Sequence, residues 1–360
     1  MPPRRVSKTR TQPASADNSG FARAVVAWQR VHGRHGLPWQ NTRDAYRIWL
    51  SEIMLQQTQV AAVIPYYARF LARFPELAAL AAADEDAVLE LWSGLGYYSR
   101  ARNLHRAARA VASQHGGQFP ADFEAVLALP GIGRSTAAAI CVFAFGARHA
   151  ILDGNVKRVF ARCFGVAGYP GEAAVAEQLW RHADQLVPAK NVEAYTQGLM
   201  DLGAGVCTRS KPRCELCPLS AQCVAYKQNA ISKYPSPRPR KVLPQRRVRM
   251  LVLLHAGQVL LEKRPSSGIW GGLWSLPELA DGEHVDGACL SRYGVTPALH
   301  TVLPTVAHGF THFLLDIEPL RVTVKRVAMR AQSPGVLWLP LADALGAALP
   351  APVRRILAAL

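Results

Sequence analysis

Leu129-Pro130-Gly131-Ile132-Gly133-Arg134-Ser135-Thr136-Ala137 is a Gly-x-Gly turn that opens directly into an alanine-rich helix. Two glycines remove side-chain bulk and the start of the helix adds partial positive charge, so the backbone amides of this turn can face a phosphate. Downstream, Ile151-Leu152-Asp153-Gly154-Asn155-Val156-Lys157-Arg158 places an aspartate before a second helix, where most aspartates act only as N-caps. Further on, Cys207, Cys214, Cys217 and Cys223 stand as C-x6-C-x2-C-x5-C. Four thiolates complete the coordination of one centre, and their chemistry leaves structural zinc and a [4Fe–4S] cluster both open. Zinc sites more often show two C-x2-C knuckles, and here only Cys214 and Cys217 make one, so the spacing leans toward iron–sulfur.

Outward from these strings, apolar residues recur at intervals of three and four from Phe21 to about Tyr226, as in Ala61, Ile64, Tyr67, Ala68 and Leu71, predicting a nearly all-helical domain over 21–226. Gly33 to Pro38, Phe74-Pro75, Gly116-Gly117 and Pro170-Gly171 punctuate it. Prolines 235, 237, 239 and 244 among basic residues make 227–246 an extended linker. Beyond it, Val248 to His255 and Gln258 to Lys263 flank Ala256-Gly257 as strand, turn, strand, with a further strand over Phe310 to Leu320 and a last helix over Ala342 to Ala359. The second domain, 247–360, is therefore mixed and sheet-based.

Forty-two Lys and Arg against 25 Asp and Glu give a formal charge of +17, which favours a polyanionic partner, because cations near phosphates release condensed counterions. No apolar run approaches the roughly 20 residues of a membrane span. Residues 1–20 carry Arg4, Arg5, Lys8 and Arg10 without a following apolar core, so they read as a disordered basic tail rather than a secretory signal, and the expected location is the cytoplasm. Seven cysteines, four of them crowded together, suit metal ligation in a reducing compartment better than a disulfide framework.

The glycine turn, the aspartate after it and the cysteine spacing together resemble the endonuclease III superfamily of base-excision glycosylases. That resemblance implies a two-lobed, all-α helix–hairpin–helix core with a mainly structural [4Fe–4S] cluster on Cys207, Cys214, Cys217 and Cys223, and a catalytic role for Asp153. Gly131, Gly133 and Ser135 then belong to the DNA-binding hairpin, and Arg209 and Lys211, cations on the braced cysteine loop, to phosphate contact. Glu52, in Trp49-Leu50-Ser51-Glu52-Ile53-Met54-Leu55-Gln56-Gln57-Thr58, would ordinarily be a surface helix glutamate, but its neighbours are strongly apolar and desolvation raises a carboxyl pKa. This string closely resembles the segment carrying the general acid of adenine DNA glycosylases, where the glutamic acid protonates adenine and the aspartate stabilises the cationic sugar. The lyase members of the superfamily place a lysine where Ser135 stands, so the resemblance implies a reaction that stops at the abasic site.

Gln57 and Tyr97, the latter in Gly94-Leu95-Gly96-Tyr97-Tyr98-Ser99-Arg100, resemble the family's residues that wedge into the duplex, and Gln197 a position that hydrogen-bonds adenine. A buried helix glutamine is the competing account of Gln197, and core packing that of the tyrosines. The second domain resembles the Nudix-like domain these glycosylases add to their core. It lacks the glutamate cluster that nucleotide hydrolysis needs, and Phe310-Thr311-His312 resembles the family's lesion-sensing tip, with Thr311 in place of the commoner serine. The implied partner is duplex DNA holding adenine opposite 8-oxoguanine or guanine, bound by a monomer. Two rivals remain at this level: an endonuclease III-like lyase, which Ser135 and the second domain oppose, and a non-catalytic cluster-bearing DNA-binding protein, from which Glu52 and Asp153 discriminate.

Overall fold

Alanine- and leucine-rich segments with three-four periodicity fold here as twelve helices: α1 (Asp17–His32), α2 (Ala45–Leu55), α3 (Val60–Arg73), α4 (Leu77–Ala81), α5 (Glu85–Trp92), α6 (Ser99–Gln114), α7 (Phe123–Leu127), α8 (Arg134–Phe145), α9 (Gly154–Phe164), α10 (Ala173–Leu186), α11 (Val192–Asp201) and α12 (Val224–Lys227). The structure, a computed structural model, describes residues 17–239, 242–328 and 335–360. Most of the basic tail lies outside them, and Asp17 to Gly20, which the sequence assigns to that tail, are already helical. The chain divides into two compact units, one of residues up to Ile53 with Phe119–Pro239, the other of Met54–Gln118 with the chain beyond Pro239.

In the first unit, α9 explains the packing. Asp153 caps its start, Gly165 in the left-handed conformation (φ 63°) ends it, and its apolar stripe buries Val156, Val159, Phe160 and Cys163. Phe21 of α1 meets Phe160 edge-on at 5.9 Å, and Leu199 and Leu202 complete the same core. Each such side chain contributes roughly 1.5–3 kcal/mol of burial. A single π-helical turn, Leu202–Val206, follows α11 and delivers the chain to Cys207.

In the second unit, the helices from Val60 to Gln114 accompany an eight-stranded mixed sheet of β1 (Gln245–His255), β2 (Gln258–Lys263), β3 (Trp274–Ser275), β4 (Glu278–Leu279), β5 (Val295–Val302), β6 (Val306–Gly309), β7 (Leu314–Val327) and β8 (Val336–Pro340). The backbone path runs β3-β2-β1-β7-β5, with β1 and β7 parallel and the other pairs antiparallel. Ala256 and Gly257, at φ 47° and 77°, make the tight hairpin between β1 and β2. Alternation along β1 feeds both faces: Met250 and Val252 enter a core with Val353, Ile356 and Leu357, whereas Leu251 and Leu253 enter one with Ala288, Cys289 and Tyr293 of α13 (Val285–Tyr293). Two expectations need correction. The last helix is two, α14 (Leu341–Gly346) and α15 (Ala351–Ala358), because Pro350 and Pro352 end one and start the next. The strand expected from Phe310 begins only at Leu314, since a turn closed by Phe310 N–H donating to Phe313 O (2.9 Å) occupies the first residues.

Candidate active site

Glu52 lies on α2, between Trp49 and Ile53, both of them buried. The residue is half-buried and protein surrounds its carboxyl, so desolvation, with the nearby charge of Asp153 second, pushes its pKa up to about 8. Asp153 is also raised by burial, but groups that favour its anion oppose this. Its Oδ1 accepts the Val156 N–H (2.8 Å), its Oδ2 the Asn155 side-chain amide (3.4 Å), and Arg158 adds a positive charge. Of the two carboxyls, Glu52 therefore keeps its proton at neutral pH, and Asp153 is the one whose anion is hydrogen-bonded and faced by a cation. A proton donor beside a carboxylate is the arrangement that protonates a leaving group and stabilises a developing cation.

The glycine turn positions the aspartate directly. Gly131 adopts φ 80°, a conformation that a side chain resists, and Gly133 caps α8. One turn on, the Ser135 hydroxyl accepts the N–H of Leu152 (2.9 Å) and so fixes the segment that ends in Asp153. Gly133 has an ordinary negative φ, and a Cβ added there would meet nothing within 4 Å. Nothing among the described residues requires that glycine, which leaves the exposed turn open to a ligand.

Cys207, Cys214, Cys217 and Cys223 all line one pocket, together with Val159, Leu202, Val206 and Ile231. Among the described residues no three potential ligands converge as tightly as one ion would require. A pocket faced by four thiols and otherwise largely apolar fits a bulkier inorganic group, and all four thiols are free of disulfides. Three residues of this site escaped the sequence. Arg162, 4% exposed, donates to Cys207 Sγ (3.3 Å), Thr208 O (2.7 Å), Arg209 O (3.0 Å) and Tyr234 O (3.0 Å). Arg158 reaches Cys207 O (2.7 Å) and Gly203 O (2.6 Å), and Cys163 lines the same cavity. Both arginines stand four apart on α9, a spacing that puts them on one face and was the available signal. They hold the loop on which Arg209 and Lys211 are exposed.

Gln197 donates through Nε2 to Asp201 Oδ1 (2.8 Å), and Asp201, 4% exposed, also pairs with Arg34 (2.6 Å). Its carbonyl oxygen is the end that this bond leaves for a ligand.

In the second unit, Gln57 (φ 58°) and Tyr97 (φ 50°) are both exposed and both in the left-handed region. Such backbone is costly for non-glycine residues and is held only where neighbours fix it. Arg100 does so: its Nη1 donates to Met54 O (2.8 Å) and Gln56 O (2.7 Å), and its Nη2 to Thr58 Oγ1 (3.2 Å), Leu95 O (3.3 Å) and Gly96 O (3.1 Å). Its guanidinium also lies over the Trp92 and Tyr97 rings. Tyr97 is 48% exposed, whereas the Tyr98 hydroxyl donates to Leu349 O (3.2 Å). On the sheet, Phe310 stacks on Phe313 with centroids 4.5 Å apart, leaving Thr311 and His312 exposed at the apex of the turn.

Comparison with known proteins places this geometry. Residues 50–185 match the family model of HhH-GPD superfamily base excision DNA repair proteins, and residues 249–359 that of the NUDIX domain. The adenine DNA glycosylase of Buchnera aphidicola subsp. Schizaphis graminum is 34% identical over 340 residues, covering 94% of this chain and 97% of that protein. The chain belongs to the adenine DNA glycosylase family. The human adenine DNA glycosylase is 32% identical over 387 residues, covering 90% of the chain and 71% of the relative. Among solved structures, a thermostable thymine-DNA glycosylase superposes with a TM-score of 0.53 at 30% identity, over 59% of this chain and all of that one. An endonuclease III–DNA complex (TM-score 0.50, 20% identity, 59% of this chain and 97% of that one) shares the fold. The glycosylase is thus a DNA N-glycosylase with an endonuclease III-like helical core followed by a Nudix-like domain. None of its described helices is long and apolar enough to cross a membrane.

Proposed function

We propose that this enzyme excises adenine mispaired with 8-oxoguanine, and with guanine, from duplex DNA and releases it by hydrolysis, leaving an intact abasic strand for base excision repair. The contrast between the two carboxyls carries this reading: Glu52, its pKa near 8, is an acid at neutral pH, and Asp153 beside it, though raised by burial, has the hydrogen bonds and the Arg158 charge that support an anion. Glu52 gives its proton to N7 of the flipped adenine, the C1′–N9 bond breaks with its electron pair leaving on the base, and Asp153 stabilises the cationic sugar. The Glu52 carboxylate then takes a proton from the water that attacks C1′, which restores the acid.

Ser135 has no amine with which to form a Schiff base, which supports a monofunctional reaction. Gln57 and Tyr97 fill the gap left by the flipped base, Gln197 reads adenine through its free carbonyl, and Gly131, Gly133, Arg209 and Lys211 bind phosphates. Phe310, Thr311 and His312 read the opposite base. Cys207, Cys214, Cys217 and Cys223 hold a [4Fe–4S] cluster whose contribution is to stiffen the basic loop. The enzyme works as a monomer, in the cytoplasm, on chromosomal DNA.

The test is incubation with duplexes carrying adenine opposite 8-oxoguanine, guanine or thymine, assayed for free adenine and for strand breaks before and after alkali. Release opposite 8-oxoguanine, with breaks only after alkali, is the expected result. Breaks without alkali would make the enzyme a lyase, and absence of release from every duplex that it binds would leave only a binding protein.

A further inference from the structure

The loop that carries Tyr97 is fastened to the sheet domain. At one end, Arg354 of α15 donates through Nη2 to Ser93 Oγ (2.9 Å) and to Ala347 O (2.9 Å), and through Nη1 to Leu345 O. At the other, Tyr98 OH donates to Leu349 O (3.2 Å) while accepting the Gly94 N–H (3.4 Å). Ser93 and Tyr98 thus bracket Tyr97; Tyr98 reaches the connection between α14 and α15 directly, and Ser93 reaches it through Arg354. Lys263 to Asp86 (2.7 Å) and Arg102 to Gly271 O reinforce the same docking.

That connection is also continuous with the Phe310–His312 tip. Val353, Ile356 and Leu357 of α15 share a core with Phe313, on which Phe310 stacks, and Arg355 donates to Ala307 O of β6 (3.2 Å). Packed side chains and hydrogen bonds therefore run without a gap from the tip, through α15, to the loop whose left-handed Tyr97 needs outside support.

We propose that Arg354 and Tyr98 are positioning residues through which the sheet domain sets the placement of Tyr97, so that the base opposite adenine governs how well the loop is held and hence how fast adenine leaves. This rests on the roles of Tyr97 and of the tip proposed above. Neither residue touches the reacting atoms.

Two measurements on the full-length holoenzyme test it. Without DNA, Tyr98→Phe, which removes the bonds to Leu349 O and from the Gly94 N–H, and Arg354→Met, which removes three, speed amide exchange in Leu95 to Tyr98 at least tenfold while leaving α9 unchanged, since the loss of even one partly buried hydrogen bond predicts about that factor. With DNA, each variant lowers the single-turnover excision ratio for 8-oxoguanine over guanine by about tenfold. Excision opposite guanine stays within twofold of wild type, Arg354→Lys recovers part of the ratio, and the double variant loses no more than the worse single one. Unchanged exchange in Leu95 to Tyr98, or parallel loss of both rates with no change in ratio, overturns the proposal. If Arg354→Met does not fold, Tyr98→Phe decides. A wild-type enzyme that shows no preference for 8-oxoguanine counts against the mispair reading, while the exchange result still stands or falls on the fastening itself.

Discussion

Replacing Glu52 by glutamine should make this protein more stable and nearly inactive at once. The folded-state pKa of about 8, against 4.5 for a free side chain, means that the folded protein resists ionising Glu52 while the unfolded chain does not. Any stability associated with the raised carboxyl is fully present below pH 4.5 and is lost as the pH rises toward 8. At 1.36 kcal/mol per pH unit, the interval from 4.5 to 7 caps the loss at about 3.4 kcal/mol, and partial exposure of Glu52 brings the expected figure to about 2 kcal/mol. Glutamine keeps the shape and never ionises. Glu52→Gln should therefore melt close to wild type at pH 5 and about 4–8 °C higher at pH 7, by the usual conversion for domains of this size. Adenine release should fall by roughly 10²–10⁴, the span of general acid catalysis, while duplex binding persists. The wild-type kcat/KM should itself decline as pH rises through about 8, where Glu52 loses its proton. Thermal melts from pH 5 to 9 and single-turnover excision check both halves. A melting difference that does not vary with pH would refute the burial argument, and a Glu52→Gln enzyme with wild-type turnover would refute the acid.

Asp153→Asn preserves an N-cap for α9, so stability should hold within about 1 kcal/mol while excision falls roughly 10²–10³-fold. Because the Asp153 charge helps to raise Glu52, any residual activity should lose its alkaline limb at lower pH than wild type, as a pH–rate profile would show. Ser135→Ala removes the acceptor for the Leu152 N–H and should cost about 1–2 kcal/mol by denaturant melts, with a fall in kcat from the loosened Asp153. Gly133→Ala meets no protein atom, so it should leave the melting temperature unchanged and weaken duplex binding, which titration by fluorescence anisotropy would measure.

The sequence made legible whatever is written in short strings. The glycine turn, the string around Asp153 and the four cysteines are each compact in the chain, and the apolar neighbours of Glu52 foretold its raised pKa. What stayed hidden depends on contacts between distant positions. Arg162 is an ordinary arginine until the fold carries Cys207, 45 residues away, to its guanidinium. Arg100 is likewise one more charge in a basic helix until carbonyl and hydroxyl partners from the end of α2, the turn after it and the loop before α6 surround it. The break between α14 and α15 was available in Pro350 and Pro352, but the apolar spacing of Ala342 to Ala359 outweighed it. Gln197 shows the opposite limit: its i,i+4 partner Asp201 was adjacent on the helix, yet only the structure reveals that one end of the amide is already engaged.

The arrangement around α9 links the cysteine site to the carboxylate proposed to be catalytic. The first residue before α9 is Asp153, and the next two turns carry Arg158 and Arg162, which grip the cysteine loop. Gly203, in the π-helical turn that leads to Cys207, packs so closely on Asn155 that a Cβ there would come within 2.4 Å of the Asn155 side chain. Asn155 in turn donates to Asp153 (3.4 Å) and accepts from Arg158 (2.9 Å). A shift of the cysteine loop would therefore move Gly203 and Arg158 against Asn155, and through it the Asp153 carboxylate, which we propose meets the sugar. Hydrogen-bonded groups that must stay within a fraction of an ångström of a reacting centre gain from a second layer of fixed neighbours. Here that layer is the cysteine site, and its rigidity is delivered to Asp153 through one helix.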